Sequence, residues 1–319
     1  MPTVPVMRIF LAGGTGAIGR PLVSALAVAG HDVTVFSRSA QRVAALGVPG
    51  VVAAVGDALD AQGLARAVQD ASPEVVVNQL TNLPQTANPL AIRRGFKRTS
   101  RLRNEASGTL VRAARRAGAR RVVAQSISFI YRPGPGVRTE ADPLWTDAGG
   151  QIGHLAGSLA TLESATLGDD TLEGVVLRYG AFYGPRTYFA PGGLYASMVA
   201  RRLLPLPGGG TGLFGFVHVD DAARATVAAL EGPTGVFNVV DDVPAPAAEW
   251  MPMLAGLLGA KPPRRVPRGV ARAAAGKFLV YMLCDQPAVS NQRARTALGW
   301  SPAYPDWHDG LPAALTRGG

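Results

Sequence analysis

Ala12-Gly13-Gly14-Thr15-Gly16-Ala17-Ile18-Gly19 follows directly on the short apolar run Ile9-Phe10-Leu11. That order reads as a strand running through a glycine-rich turn into a helix N-terminus. Gly13 suits the tight turn, Gly16 leaves no Cβ between backbone and ligand, and Gly19 lets the helix press against the strand. The free N–H groups and positive end of such a helix favour a pyrophosphate. Downstream, Leu22, Val23, Leu26 and Ala27 recur at helical spacing, Gly30 supplies a C-terminal stop, and residues 32–36 read as a second strand. This strand–turn–helix–strand setting predicts a dinucleotide site with Gly13, Thr15, Gly16, Ala17, Ile18 and Gly19 around the phosphates.

The end of the second strand normally meets the adenosine ribose, where a carboxylate would accept from the 2′-hydroxyl of NAD. Here the chain has Ser37-Arg38-Ser39, with Arg42 one turn on. A guanidinium can grip a 2′-phosphate through paired hydrogen bonds, so Ser37 and Arg38 favour NADP(H) over NAD(H). The plainer alternative for Arg38 is a solvated loop arginine.

Strands and helices go on alternating, with apolar strands at 51–55, 75–80, 122–126 and 175–179 separated by Ala-rich helical stretches. This is the pattern of an α/β fold with a doubly wound parallel sheet, a Rossmann fold, covered on both faces. Ligands in such sheets lie at the carboxyl ends of the strands. Asp57, with Ala58 beside it, is placed to accept from an adenine amino group, though it reads equally well as a turn or cap aspartate. Gln79, Leu80 and Thr81 fall beside the expected nicotinamide ribose.

A chain of 319 residues with 47% hydrophobic content can bury a sizeable core. No charged leader with an apolar core precedes the glycine turn, and no run of about eighteen apolar residues occurs, so a soluble cytoplasmic protein is expected, with no membrane association. Cys284 is the single cysteine, and the four histidines lack ligand spacing, so no metal is expected. The net charge of +10 traces to residues 93–121, which hold eleven Arg or Lys against Glu105 alone. Leu102, Ala106, Leu110 and Ala113 mark the buried side of a helix there, which leaves the arginines for solvent or a subunit contact. Interleaved aromatics are nearly absent and no nucleic-acid motif appears, so nucleic acid is not an expected partner.

Taken together, these residues resemble the extended short-chain dehydrogenases, which include NAD-dependent epimerases, dehydratases and reductases. The resemblance rests on the glycine fingerprint, Gly56-Asp57, Asn104 with Gly108-Thr109, Ser126, the run 177–185 and the run 216–221. It implies a dinucleotide-binding domain over 1–184 and 215–241, and a smaller, discontinuous substrate lobe over 185–214 and 242–319. It also implies a homodimer through the helices after the fourth and fifth strands, and Ser126 in the role of the serine that bonds a substrate oxygen. The family's tyrosine, followed four residues later by a lysine, is missing: Leu155 and Leu159 stand in its place. Ser126, Tyr131, His154 and Tyr183 are therefore the candidates for catalysis, each with a structural role as the alternative.

The long loop 132–150 reads as a cover over the pocket. With leucines where a polar pair would stand, the pocket is expected to be less polar than that of a sugar-nucleotide epimerase. The leading expectation is an NADP(H)-dependent oxidoreductase that reduces a carbonyl or enone of a small, biosynthetic substrate with a substituted proton donor. The alternatives are an epimerase, isomerase or dehydratase with retained cofactor, and a non-catalytic NADP-binding regulator.

Overall fold

The computed structural model describes residues 5–84 and 88–316, so the outer ends of the two expected spans, 1–4 and 317–319, lie outside the described residues. Six strands alternate with helices in the order the sequence suggests. They are β1 (Arg8–Ala12), β2 (Asp32–Ser37), β3 (Val52–Val55), β4 (Val75–Asn78), β5 (Arg121–Ile127) and β6 (Glu173–Tyr179). A seventh strand, Gly235–Val239, adds to β6, giving the order seventh–β6–β5–β4–β1–β2–β3. Every pairing in this sheet is parallel. The order reverses between β1 and β4, which opens a crevice at the carboxyl edge.

The intervening helices are α1 (Gly19–Val28), α2 (Ala40–Ala44), α3 (Ala61–Ala71), α4 (Pro89–Arg101), α5 (Ser107–Arg116) and α6 (Gly150–Leu167). Between α4 and α5 the chain continues as one π-helical turn, Leu102–Ala106. Helix α7 (Leu194–Ala200) and helix α8 (Val219–Ala228) follow β6. Both faces of the sheet are covered. Leu22, Val23 and Leu26 of α1 pack with Ala222 and Ala225 of α8 on one side, and Leu64, Val68, Leu110 and Ala114 of α3 and α5 on the other. The continuous valines of β4 are buried on both faces, as a central parallel strand requires.

A third apolar cluster gathers residues from beyond β6, including Phe189, Phe214, Phe216, Trp250, Met251, Leu254, Tyr281 and Trp307. Asp221, buried in α8, accepts from the amides of Ala303 and Tyr304 at 3.0 Å each and ties the C-terminal chain to the sheet. His218 caps the same helix by accepting from the Asp220 amide. The loop 132–150 does not form the expected cover. It is fastened at Tyr131–Leu144 and Arg138–Val289, and Trp145 packs on Tyr281 at 5.3 Å.

Candidate active site

The carboxyl edge of the sheet opens into a cleft of about 800 Å³, a volume suited to a cofactor or drug-sized ligand. At one end stands the glycine turn. Gly13 has φ +96°, and a Cβ there would come within 2.5 Å of the Gln79 carbonyl oxygen, so only glycine fits between β1 and β4. A Cβ on Gly19 would meet the Gly13 carbonyl, which explains how α1 starts so close to the strand. The Gly16 amide donates to the Gly13 carbonyl at 3.1 Å, while the amides of Ala17 and Ile18, at the mouth of α1, have no acceptor among the described residues. Thr15, Gly16, Ala17 and Ile18 all face the cleft.

Ser37, Arg38 and Arg42 line the next stretch, followed by Gly56, Asp57 and Ala58. Arg38 and Arg42 are exposed, and neither side chain has an ion pair among the described residues. Among the described residues Asp57 is the one carboxylate that lines the cleft, and it is taken: Arg98 Nη2 donates to both its oxygens at 2.7 and 2.8 Å. This bond, with the Leu59 amide, holds the Asp57 carboxyl below the usual range. Gln79, Leu80 and Thr81 continue the wall. The buried Gln79 Oε1 lacks a hydrogen-bond partner among the described residues. An open glycine cradle, free helix-terminal amides, unpaired arginines and an orphaned amide oxygen together suit a phosphate-rich dinucleotide.

Of the four catalytic candidates, His154 alone lines the cleft, from the first turns of α6, with Leu155 next to it. Ser126, Tyr131 and Tyr183 are turned away from it, contrary to expectation. Alternation along β5 decides the first: Gln125 and Ile127 point into the cleft, so Ser126 points out of it. The buried Ser126 Oγ instead donates to Glu163 Oε1 at 2.6 Å. Glu163 grips Arg178 through two bonds of 2.9 and 2.7 Å, Arg178 donates to the Tyr131 hydroxyl, and that hydroxyl donates to Asn238 Oδ1. Tyr131 is thus enclosed in a buried polar cluster. Tyr183 is fully buried between Phe216 and His218, with its hydroxyl near Asp241.

The far end of the cleft was not foreseen residue by residue. Phe129, Phe182, Tyr188, Phe189, Tyr195, Phe214, Phe278 and Met282 make an aromatic chamber there. Tyr188 and Tyr195 meet edge to face at 5.3 Å. The Tyr188 hydroxyl is buried without a hydrogen-bond partner among the described residues, and burial raises its phenol pKa, so it stays protonated as a donor. Arg186 lines the cleft at φ +63°, a left-handed conformation that is costly for a non-glycine residue and is concentrated at functional sites. No helix among the described residues is long and apolar enough to cross a membrane, and no group of His, Cys, Asp or Glu among them could hold a metal ion.

Residues 9–239 match the sequence profile of the NAD dependent epimerase/dehydratase family. Over 309 residues, 96% of this chain and 99% of the relative, the chain is 48% identical to the 3-diazoavenalumate denitrifying reductase of Streptomyces sp. The UDP-glucose 4-epimerase of Thermotoga maritima superposes with a TM-score of 0.76 at 20% identity, covering 97% of each chain. The dTDP-glucose 4,6-dehydratase of Streptomyces venezuelae, solved with NAD bound, has a TM-score of 0.76 at 22% identity, covering 97% of this chain and 96% of its own. The chain belongs to the NAD-dependent epimerase/dehydratase family and is an oxidoreductase of the short-chain dehydrogenase type.

Proposed function

We propose that this chain is an NADPH-dependent reductase that removes the diazo group of an aromatic carboxylate as dinitrogen. The observation that carries the reading is the face of α6: where the family places a tyrosine and lysine, this cleft presents Leu155, and the buried Leu159 stands behind it. An apolar surface there suits a reduction that draws no proton from the protein. When bound, the nicotinamide supplies hydride, and with a carbon-bound diazonium as acceptor the balance closes as R–H plus dinitrogen with no proton added. The name of the relative at 48% identity describes such a reaction, a denitrifying reduction of a diazo carboxylate.

In this reading the chain's own residues bind, orient and exclude water. The turn from Gly13 to Ile18 and the amides opening α1 take the pyrophosphate. Arg38 and Arg42, which line the cleft, take the 2′-phosphate, and this favours NADPH over NADH. Asp57 and Ala58 flank the adenine, and Gln79, Leu80 and Thr81 flank the nicotinamide ribose. Residues 185–214 and 242–316 act as the substrate lobe, contributing Tyr188, Phe189, Tyr195, Phe214, Phe278 and Met282 to a wall that stacks on a planar ring and keeps it dry. A carbonyl or enone acceptor is the second reading, because His154 and Tyr188 line the cleft and either could give the proton such a substrate needs.

The test is NADPH consumption with 3-diazoniocinnamate, measured with dinitrogen release. One NADPH oxidised per dinitrogen, well above the protein-free rate, is expected. Turnover of ketones or enones with none of the diazonium compound would transfer the assignment to the second reading.

A further inference from the structure

The basic run 93–121 holds one arginine that behaves unlike the others. Most of its charges face solvent: Arg93, Arg94, Lys97, Arg101, Arg112, Arg115, Arg116 and Arg120 are exposed. Several have carboxylate partners, with Arg98 on Asp57, Arg101 on Glu105, Arg115 on Asp169, and Arg120 and Arg121 on Glu173. Arg103 is 6% exposed, and its side chain has no hydrogen bond or ion pair among the described residues.

Its placement follows from the π-helical turn Leu102–Ala106. Arg103 lies on the buried stripe of that turn with Leu102 and Ala106, while Asn104 and Glu105 face out. The turn packs against α6, the helix whose His154 and Leu155 line the cleft, and Arg103 lines the same cleft. A π turn inside a helix is costly and recurs at functional sites. Burying an unpaired charge is costlier still. Burial pulls the guanidinium pKa down to about 10, yet leaves it cationic at neutral pH. Among the described residues of the cleft no carboxylate is free to meet it, since Arg98 already holds Asp57.

We propose that Arg103 anchors the carboxylate of the substrate and so sets the enzyme's preference for aromatic acids over neutral aromatics. The proposal rests on the aromatic-acid reductase reading above. A planar guanidinium matches a carboxylate with two parallel hydrogen bonds, and in a site of low dielectric that pairing is strong. The alternative anion is a cofactor phosphate. The elements suited to phosphate are the glycine turn and the end of β2, whereas Arg103 comes from the helix after β4 and sits against α6. That position favours the substrate.

The experiment is calorimetric binding of trans-cinnamate and trans-cinnamamide to the protein saturated with NADP+, for wild type, Arg103→Met and Arg103→Lys. Wild type binds cinnamate at least tenfold more tightly than the amide. Arg103→Met binds the two equally, with NADP+ affinity unchanged within twofold, and Arg103→Lys restores part of the preference. Equal binding of acid and amide by wild type overturns the proposal without recourse to any variant. A preference that survives in Arg103→Met overturns it too. Loss of NADP+ affinity in Arg103→Met, in place of cinnamate affinity, reassigns the guanidinium to a cofactor phosphate and also overturns it. The outcome is separable from that of the activity test: an acid preference abolished by Arg103→Met without dinitrogen release leaves the anchor standing and removes the diazo reading, and the converse removes the anchor alone.

Discussion

Arg38 and Arg42 carry the proposed cofactor preference because neither has an ion pair among the described residues, and Asp57, whose charge Arg38 feels, is hydrogen-bonded to Arg98. They line the carboxyl end of β2 without carboxylate partners, while the nearby Asp57 is spent on Arg98. Arg38→Ala should therefore lose at least tenfold in NADPH affinity, about 1.4 kcal/mol, with NADH affinity little changed. Equal losses for both cofactors, measured by calorimetry on nucleotide-stripped protein, would remove the 2′-phosphate role. The glycine turn was legible in the sequence because its chemistry is local: each glycine answers to a neighbour in the same strand–turn–helix unit. Arg103 was hidden for the opposite reason. It falls on the helical stripe of Leu102 and Ala106, but inside a run of arginines that composition assigns to solvent. Tyr188 and Tyr195 carried no signal either, since they lie in a Pro- and Gly-rich stretch with no periodicity to orient them. Ser126 was named by resemblance alone, and the alternation of β5 turns Gln125 and Ile127 to the cleft and Ser126 to the opposite face.

At the scale of elements, β5, α6 and β6 are joined behind the cleft by the cluster of Ser126, Glu163, Arg178, Tyr131 and Asn238. Glu163 and Arg178 are both more than nine-tenths buried as side chains. Such a pair is tolerated only with full hydrogen bonding, and removing one partner strands the other charge. Glu163→Gln should then cost about 3–5 kcal/mol and lower Tm by on the order of 10 °C, while leaving NADPH affinity intact. An unchanged Tm with weakened cofactor binding would show that the cluster serves the site directly. The six strands β1 to β6 were legible because each is a short apolar run between turn signals. The seventh, Gly235–Val239, was not read as a strand: its run is interrupted by Asn238, whose side chain accepts from Tyr131 inside the cluster, and only tertiary pairing with β6 fixes it. The π turn was equally invisible, since a single extra residue in a helical turn leaves no mark on a stripe already blurred by arginines.

For the whole molecule, the edge of the sheet with its glycine turn and an aromatic chamber built by Phe129 and the chain beyond β6 line one cleft, which Leu155 also lines. The loop 132–150, expected as a lid, is instead bonded to residues 288 and 290 and packed on Tyr281, so it braces the chamber from outside. Its length suggested mobility, but the Arg138–Val289 bridge and the Tyr281 hydroxyl donating to the Tyr131 carbonyl join segments about 150 residues apart and could not be read from the loop itself. What unites the account is a reduction that takes hydride without taking a proton from the protein. The most direct test is a single-turnover reaction of 3-diazoniocinnamate with NADPH deuterated at C4 on the transferred face, run in ordinary water, with the product examined by mass spectrometry and NMR. The account predicts cinnamate carrying one deuterium at the carbon that lost dinitrogen. Cinnamate carrying hydrogen there, or a product that retains both nitrogens, would contradict it.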